Sequence, residues 1–91
     1  MLVTLEEAKQ YLRTDYPDDD SLTEDLIAAA EELVKGAGRF TDDTLLENAK
    51  AAKAAEYYAV AYLYEHREDA DMHELTLMLR AILFAVREVI F

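Results

Sequence analysis

Residues 44–67 read TLLENAKAAKAAEYYAVAYLYEHR. Alanine is the strongest helix former because it loses no side-chain entropy on ordering. The run contains neither Gly nor Pro to stop a helix. It predicts a long helix of about six turns from Thr44 to Arg67, opened by a Thr44/Glu47 capping pair. Its alanines (Ala49, Ala51, Ala52, Ala54, Ala55, Ala59 and Ala61) let a neighbouring helix approach closely. Tyr57, Tyr58, Tyr62 and Tyr64 follow. Tyr58 and Tyr62 are four apart and face one way, whereas Tyr57 and Tyr64 are seven apart. Such rings suit a core with hydroxyls at the surface, and they equally suit a subunit interface. Both readings stay open at this point.

Working outward, the same logic gives three more helices. Thr4 and Glu7 form a T-x-x-E pair at the head of a first helix, Leu5 to Arg13, with Leu5, Ala8 and Leu12 on its apolar stripe. Asp15-Tyr16-Pro17 ends it, since a residue before Pro is pushed out of the helical region. Ser21 and Glu24 repeat the pair for a second helix running to about Lys35. Gly36 is expected as its left-handed terminator, and Ala37 to Asp43 as the longest loop. Leu22, Leu26, Ala29, Ala30 and Leu33 are expected on the buried face of this helix. Asp71 and Glu74 open a fourth helix that continues to the end of the sequence. The expected fold is a small all-α domain of four helices, the third and fourth long, spanning residues 1–91 as one unit.

The last helix carries too much apolar surface for one buried stripe. From Met72 to Phe91, the polar residues His73, Glu74, Thr76, Arg80, Arg87 and Glu88 share an arc of roughly 160°. Leu77, Phe84 and Phe91 intrude into that arc at intervals of seven. Such a helix is either the central element of the fold or is covered by another subunit. Three modest partner helices can hardly enclose a terminal helix, which favours the subunit. Leu77, Phe84 and Phe91 are then the apolar contacts, with Arg80 and Arg87 as ion-pair anchors. Tyr57 and Tyr64 are further interface candidates.

Composition excludes several classes. Twenty Asp and Glu against nine Lys and Arg give a net charge of −11. Surfaces that bind nucleic-acid phosphates or anionic lipid need clustered cations. The chain has no Cys, which removes disulfide frameworks, thiolate zinc sites and cysteine nucleophiles. The opening residues show no basic region followed by an apolar run, so an intracellular setting without a secretion signal is expected. No run of about 18 apolar residues exists to cross a membrane.

Signals for chemistry are weak. Asp20-Ser21-Leu22 is similar to the phosphopantetheine serine of acyl carrier proteins. Only one short helix precedes it here, however, the upstream glycine of that family is missing, and an N-cap role already explains Ser21. Asp15, Asp18, Asp19 and Asp20 fail the EF-hand pattern, because Leu22 and Thr23 stand where a ligand and a glycine are required. His73-Glu74 begins like a zincin motif, but position 77 is Leu rather than the second His. No phosphate-binding glycine loop, triad or supported carboxylate pair is present. The expectation is a protein with no catalytic, cofactor or metal site.

Three segments in order resemble a known family. They are Val3-Thr4-Leu5-Glu6-Glu7-Ala8-Lys9-Gln10-Tyr11-Leu12-Arg13, the acidic break Asp18-Asp19-Asp20, and Leu26-Ile27-Ala28-Ala29-Ala30-Glu31-Glu32. Tyr64-Glu65-His66-Arg67-Glu68 and Leu77-Met78-Leu79-Arg80-Ala81-Ile82-Leu83-Phe84 continue the likeness, with His66 where Asn is common. The combination resembles the small head–tail connector proteins of tailed bacteriophages, also labelled phage DNA-packaging proteins. That resemblance implies a structural protein of a phage or prophage virion, made in the bacterial cytoplasm and placed at the head–tail junction. It implies a homo-oligomeric ring of about a dozen subunits below the portal protein, closed by cyclic heterologous contacts. The ring would extend the DNA channel without binding DNA specifically, and would dock a stopper or tail-completion protein. A carrier protein modified on Ser21, or a small acidic regulator binding a protein partner, are the alternatives.

Overall fold

The computed structural model describes residues 2–12, 20–66 and 68–88, with side chains through residue 84. The fold is all-α, as expected, but the described residues form five helices instead of four: α1 (Leu5–Leu12), α2 (Asp20–Gly38), α3 (Asp42–Glu47), α4 (Ala49–Glu65) and α5 (Met72–Glu88). The longest is α2, with 19 residues, while α4 and α5 have 17 each. The expected chain break at Asp15-Tyr16-Pro17 lies outside the described residues.

The expected single helix from Thr44 to Arg67 is divided at Asn48. The Asn48 side chain donates to the Thr44 carbonyl at 2.8 Å, sharing that acceptor with the Asn48 N–H at 3.1 Å. Its own backbone turns to φ −110, ψ 31, so α3 ends and α4 begins on the same residue. The start also moves. Thr41, not Thr44, is the N-cap: its hydroxyl accepts from the Thr44 N–H at 3.2 Å, and the Thr44 hydroxyl accepts from the Thr41 N–H at 2.7 Å. Asp42 and Asp43 then occupy the first turn, where the helix dipole favours negative charge. Of the other expected caps, those at Thr4 and Asp71 are present, whereas Ser21 lies inside α2, which already includes Asp20, and is not its N-cap. Thr4 and Glu7 exchange hydrogen bonds at 3.0 and 3.2 Å. Asp71 Oδ1 accepts from the Glu74 N–H at 3.0 Å.

Gly36 does not terminate α2. The helix continues to Gly38, and the left-handed residue is Arg39, with φ 56. The Phe40 N–H reaches the Lys35 carbonyl at 2.9 Å and the Arg39 N–H reaches the Gly36 carbonyl at 3.3 Å, the paired bonds of a Schellman ending. The long loop expected at Ala37–Asp43 shrinks to residues 39–41. Glycine is needed at position 38 for space rather than for φ: a Cβ there would lie 2.4 Å from the buried Phe40 ring. Gly36 faces open space. Gly38→Ala is therefore expected to cost about 1–3 kcal/mol by displacing that ring. Gly36→Ala should instead stabilise by about 0.5–1 kcal/mol. Urea unfolding of the two variants checks the contrast.

The core forms where α2, α4 and α5 meet. Ala52, Ala55 and Ala59 are fully buried and allow α2 and α4 to pack closely along their length. Leu75, Leu79 and Leu83 of α5 close over them, with Leu79 at 0% exposure. On α2 the buried stripe is Thr23, Ile27, Ala30 and Val34. The expected stripe was rotated by about one position: Leu22, Leu26 and Leu33 are half-buried at its edge and Ala29 is exposed. Three helices press on α2, so its buried arc is centred between them instead of on the largest side chains.

α1 and α5 flank α4 on opposite sides. Lys53 binds Glu7 of α1 at 2.6 Å, and Tyr57 stacks on Tyr11 of α1 with centroids 4.9 Å apart. Tyr62 instead faces α5, its hydroxyl accepting from the Asp71 N–H at 3.0 Å. Positions 53 and 62 are half a turn apart around a helix at about 100° per residue. Each of α1 and α5 also packs against α2.

Candidate assembly surface

The outer face of α5 exposes large apolar side chains. Leu75, Leu79 and Leu83 recur every fourth residue and point to the core. Leu77 and Phe84 are roughly 140–160° around the helix from Leu79, the middle of that row, and face solvent. Leu77 is 49% exposed and Phe84 66%. Ala81 and Arg80, between them in sequence, are exposed as well, whereas the exposed Met72 and Met78 lie about 140° and 100° around the helix from Leu77. Exposed apolar side chains scattered singly are ordinary, whereas several on one helix face mark a contact surface. The intrusion of Leu77 and Phe84 into the polar arc, read from the sequence, corresponds to this face.

The other candidates lie elsewhere. Tyr57 is half-buried and stacked on Tyr11 across the α1–α4 junction, with burial pushing its hydroxyl pKa up. Tyr64 is half-buried on α4. Neither shares the exposed face of α5. The Arg87 side chain and Phe91 lie outside the described residues.

A second apolar feature was not legible in the sequence. Leu2, Leu45 and Leu46 line an open cleft of about 290 Å³ together with Glu31 and Asp42. Leu46 is 66% exposed. The cleft is bounded by the N-terminal segment, α2 and α3, with no α5 residue among the described ones. Glu31 Oε1 accepts from the Leu2 N–H at 3.0 Å, which holds the N-terminal segment against α2. Asp42 pairs with Lys35 at 2.7 Å. Only the break of the long helix into α3 and α4 turns Leu46 toward this side, so the sequence offered no signal for it.

The electrostatics are structural. Glu7 is held down to about 2 by its hydrogen bond from Lys53, with the Thr4 N–H adding to it. Glu56 is the exception. Its side chain is completely buried, and neither carboxylate oxygen has a hydrogen-bond partner among the described residues. Burial, reinforced by nearby Glu31, raises its pKa to about 7. The Thr23 hydroxyl is also buried without a partner among the described residues.

Ser21 sits exposed in the first turn of α2. Asp20 pairs with Lys9 at 2.9 Å, while Asp15, Asp18 and Asp19 lie outside the described residues. Among the described residues, no three His or acidic side chains converge on a point that would hold a metal ion. No described helix is long and apolar enough to cross a membrane. No known protein family, curated protein or solved structure matches the chain.

Proposed function

We propose that this chain is a non-catalytic structural subunit that self-associates into a ring at the head–tail junction of a tailed phage or prophage. The observation that carries the reading is the solvent-facing apolar side of α5. Leu77 and Phe84 lie at its centre, and Arg80 stands among them as a polar anchor. A face of this kind is satisfied by a protein neighbour, and rings close through such contacts when they repeat head to tail. The sequence spacing extends the same row to Arg87 and Phe91. The likeness to phage connectors supplies the setting: a portal protein above, a stopper or tail-completion protein below, and a duplex passing through. The net charge of −11 supports that passage, since an acidic wall repels phosphates and lets DNA slide.

Native mass spectrometry tests the reading. The expected result is a closed oligomer of unmodified chains, near a dozen subunits. A prosthetic group on Ser21 would identify a carrier protein instead, and an unmodified monomer at every concentration would point to a partner-binding regulator. Phe84→Glu is expected to keep the helical circular dichroism of the parent and abolish the oligomer, because it places a charge in the centre of the contact. An oligomer that survives this change would remove α5 from the interface.

A further inference from the structure

The apolar face of α5 has a counterpart on the same molecule. The cleft between the N-terminal segment, α2 and α3 offers Leu2, Leu45 and Leu46 beside two carboxylates, Glu31 and Asp42. The α5 face offers Phe84 and Leu77 beside one cation, Arg80, four residues before Phe84 and on the same side of the helix. One surface is apolar with a positive charge, and the other is apolar with the Glu31 carboxylate and the Asp42–Lys35 ion pair. Among the described residues no α5 residue lines the cleft, and α5 lies across α4 from α1 and its leading segment, so the two surfaces sit apart on one copy.

We infer that the α5 face of one copy docks in the cleft of a second copy: Phe84 seats against Leu45 and Leu46, and Arg80 faces Glu31 and Asp42. The inference rests on the self-association proposed above and specifies its geometry. The contact is heterologous: each copy presents one donor face and one acceptor cleft, so every added copy leaves a free face of each kind. Such contacts run on until they close into a ring or extend as a filament. A contact of α5 with α5 would be isologous and would stop at two. Charge favours the heterologous pairing too. Two α5 faces would bring Arg80 against Arg80, whereas the cleft brings it to carboxylates. Asp42 already holds Lys35 at 2.7 Å, and Glu31 Oε1 accepts from the Leu2 N–H, so Glu31 is the carboxylate of the cleft that Arg80 would face first.

The experiment mixes two variants that each lose one half of the contact. Phe84→Glu destroys the donor face and Leu46→Glu the acceptor cleft. Both positions are largely exposed, so each variant should fold, as checked by circular dichroism. Each alone is expected to have the mass of a single chain. An equimolar mixture should give a 1:1 heterodimer and nothing larger, because one intact face meets one intact cleft. A Leu46→Glu chain that still forms the parent oligomer would overturn the cleft assignment while leaving self-association standing. Folded variants that stay apart on mixing would do the same if the parent oligomerises. A parent chain that never associates would overturn both.

Cysteine cross-linking gives an independent readout, since the chain has no cysteine of its own. Phe84→Cys and Leu46→Cys chains should form a disulfide when mixed and oxidised, and neither should do so alone. Cross-linking of Phe84→Cys with itself would show α5 meeting α5 and overturn the pairing.

Discussion

Replacing Glu56 with Leu is expected to stabilise the protein at pH 8 by about 2–3 kcal/mol and to flatten its pH dependence above pH 5. Glu56 is fully buried on α4 with both carboxylate oxygens unpartnered among the described residues. An ionised group in that position is costly, and burial holds its proton up to about pH 7. In the unfolded chain the same group releases its proton near the ordinary value of 4.5. Below pH 4.5 both states are protonated and Glu56 adds no pH dependence. Between 4.5 and 7 the unfolded state loses its proton first, so stability falls as pH rises. Each pH unit in that window costs about 1.4 kcal/mol at most. Above pH 7 both states are ionised and the penalty is constant.

Glu7 runs the other way. Its carboxyl is held down to about 2 by Lys53, so its contribution is present above pH 4.5 and is lost as pH falls toward 2. The two together place the stability maximum on the acid side of neutrality. Glu56→Gln should remove the loss between pH 4.5 and 7 but keep an unpaired buried polar group, and so gain less than Leu. Denaturant unfolding of the three chains from pH 4 to pH 8 decides the matter. A Glu56→Leu chain that is less stable at pH 8 would mean that the carboxylate has a partner in solution.

The second large effect separates two leucines on one helix. Leu79→Ala should cost about 3 kcal/mol, because the side chain is at 0% exposure between α2 and α4 and its removal leaves a cavity. That is a third or more of the stability on the order of 5–10 kcal/mol usual for a domain of this size. Leu77→Ala, two residues earlier, should change monomer stability by less than about 0.5 kcal/mol, since half of that side chain is already in water. Its effect should appear in the oligomer instead. Unfolding measured at a concentration where the chain is monomeric, followed by native mass at high concentration, separates the two roles. Equal losses from both substitutions would place Leu77 in the monomer core.

The all-α class follows from composition alone: alanine-rich, with two glycines and one proline, and Thr or Asp placed three residues before Glu. These are local preferences, satisfied within a turn of helix, so they can be read without knowing the rest of the chain. The Thr4–Glu7 and Asp71–Glu74 starts are of that kind. So is the surplus apolar face of α5, because the 3.6-residue period separates Leu77 and Phe84 from Leu75, Leu79 and Leu83 whatever those residues pack against. Other features depended on what the neighbours required. α3 ends at Asn48, whose backbone leaves the helical region, and a lone Asn in a helical run does not announce that break. Gly38 serves the Phe40 ring, which only the folded chain brings back over it. The buried arc of α2 is centred on Thr23, Ile27, Ala30 and Val34 because three helices press on it from different directions. The cleft of Leu2, Leu45, Leu46, Glu31 and Asp42 joins residues more than forty positions apart. Helical period and capping act over three or four residues and were therefore present in the sequence by itself. The burial of Glu56 and the cleft arise from distant segments meeting, which only the tertiary structure decides.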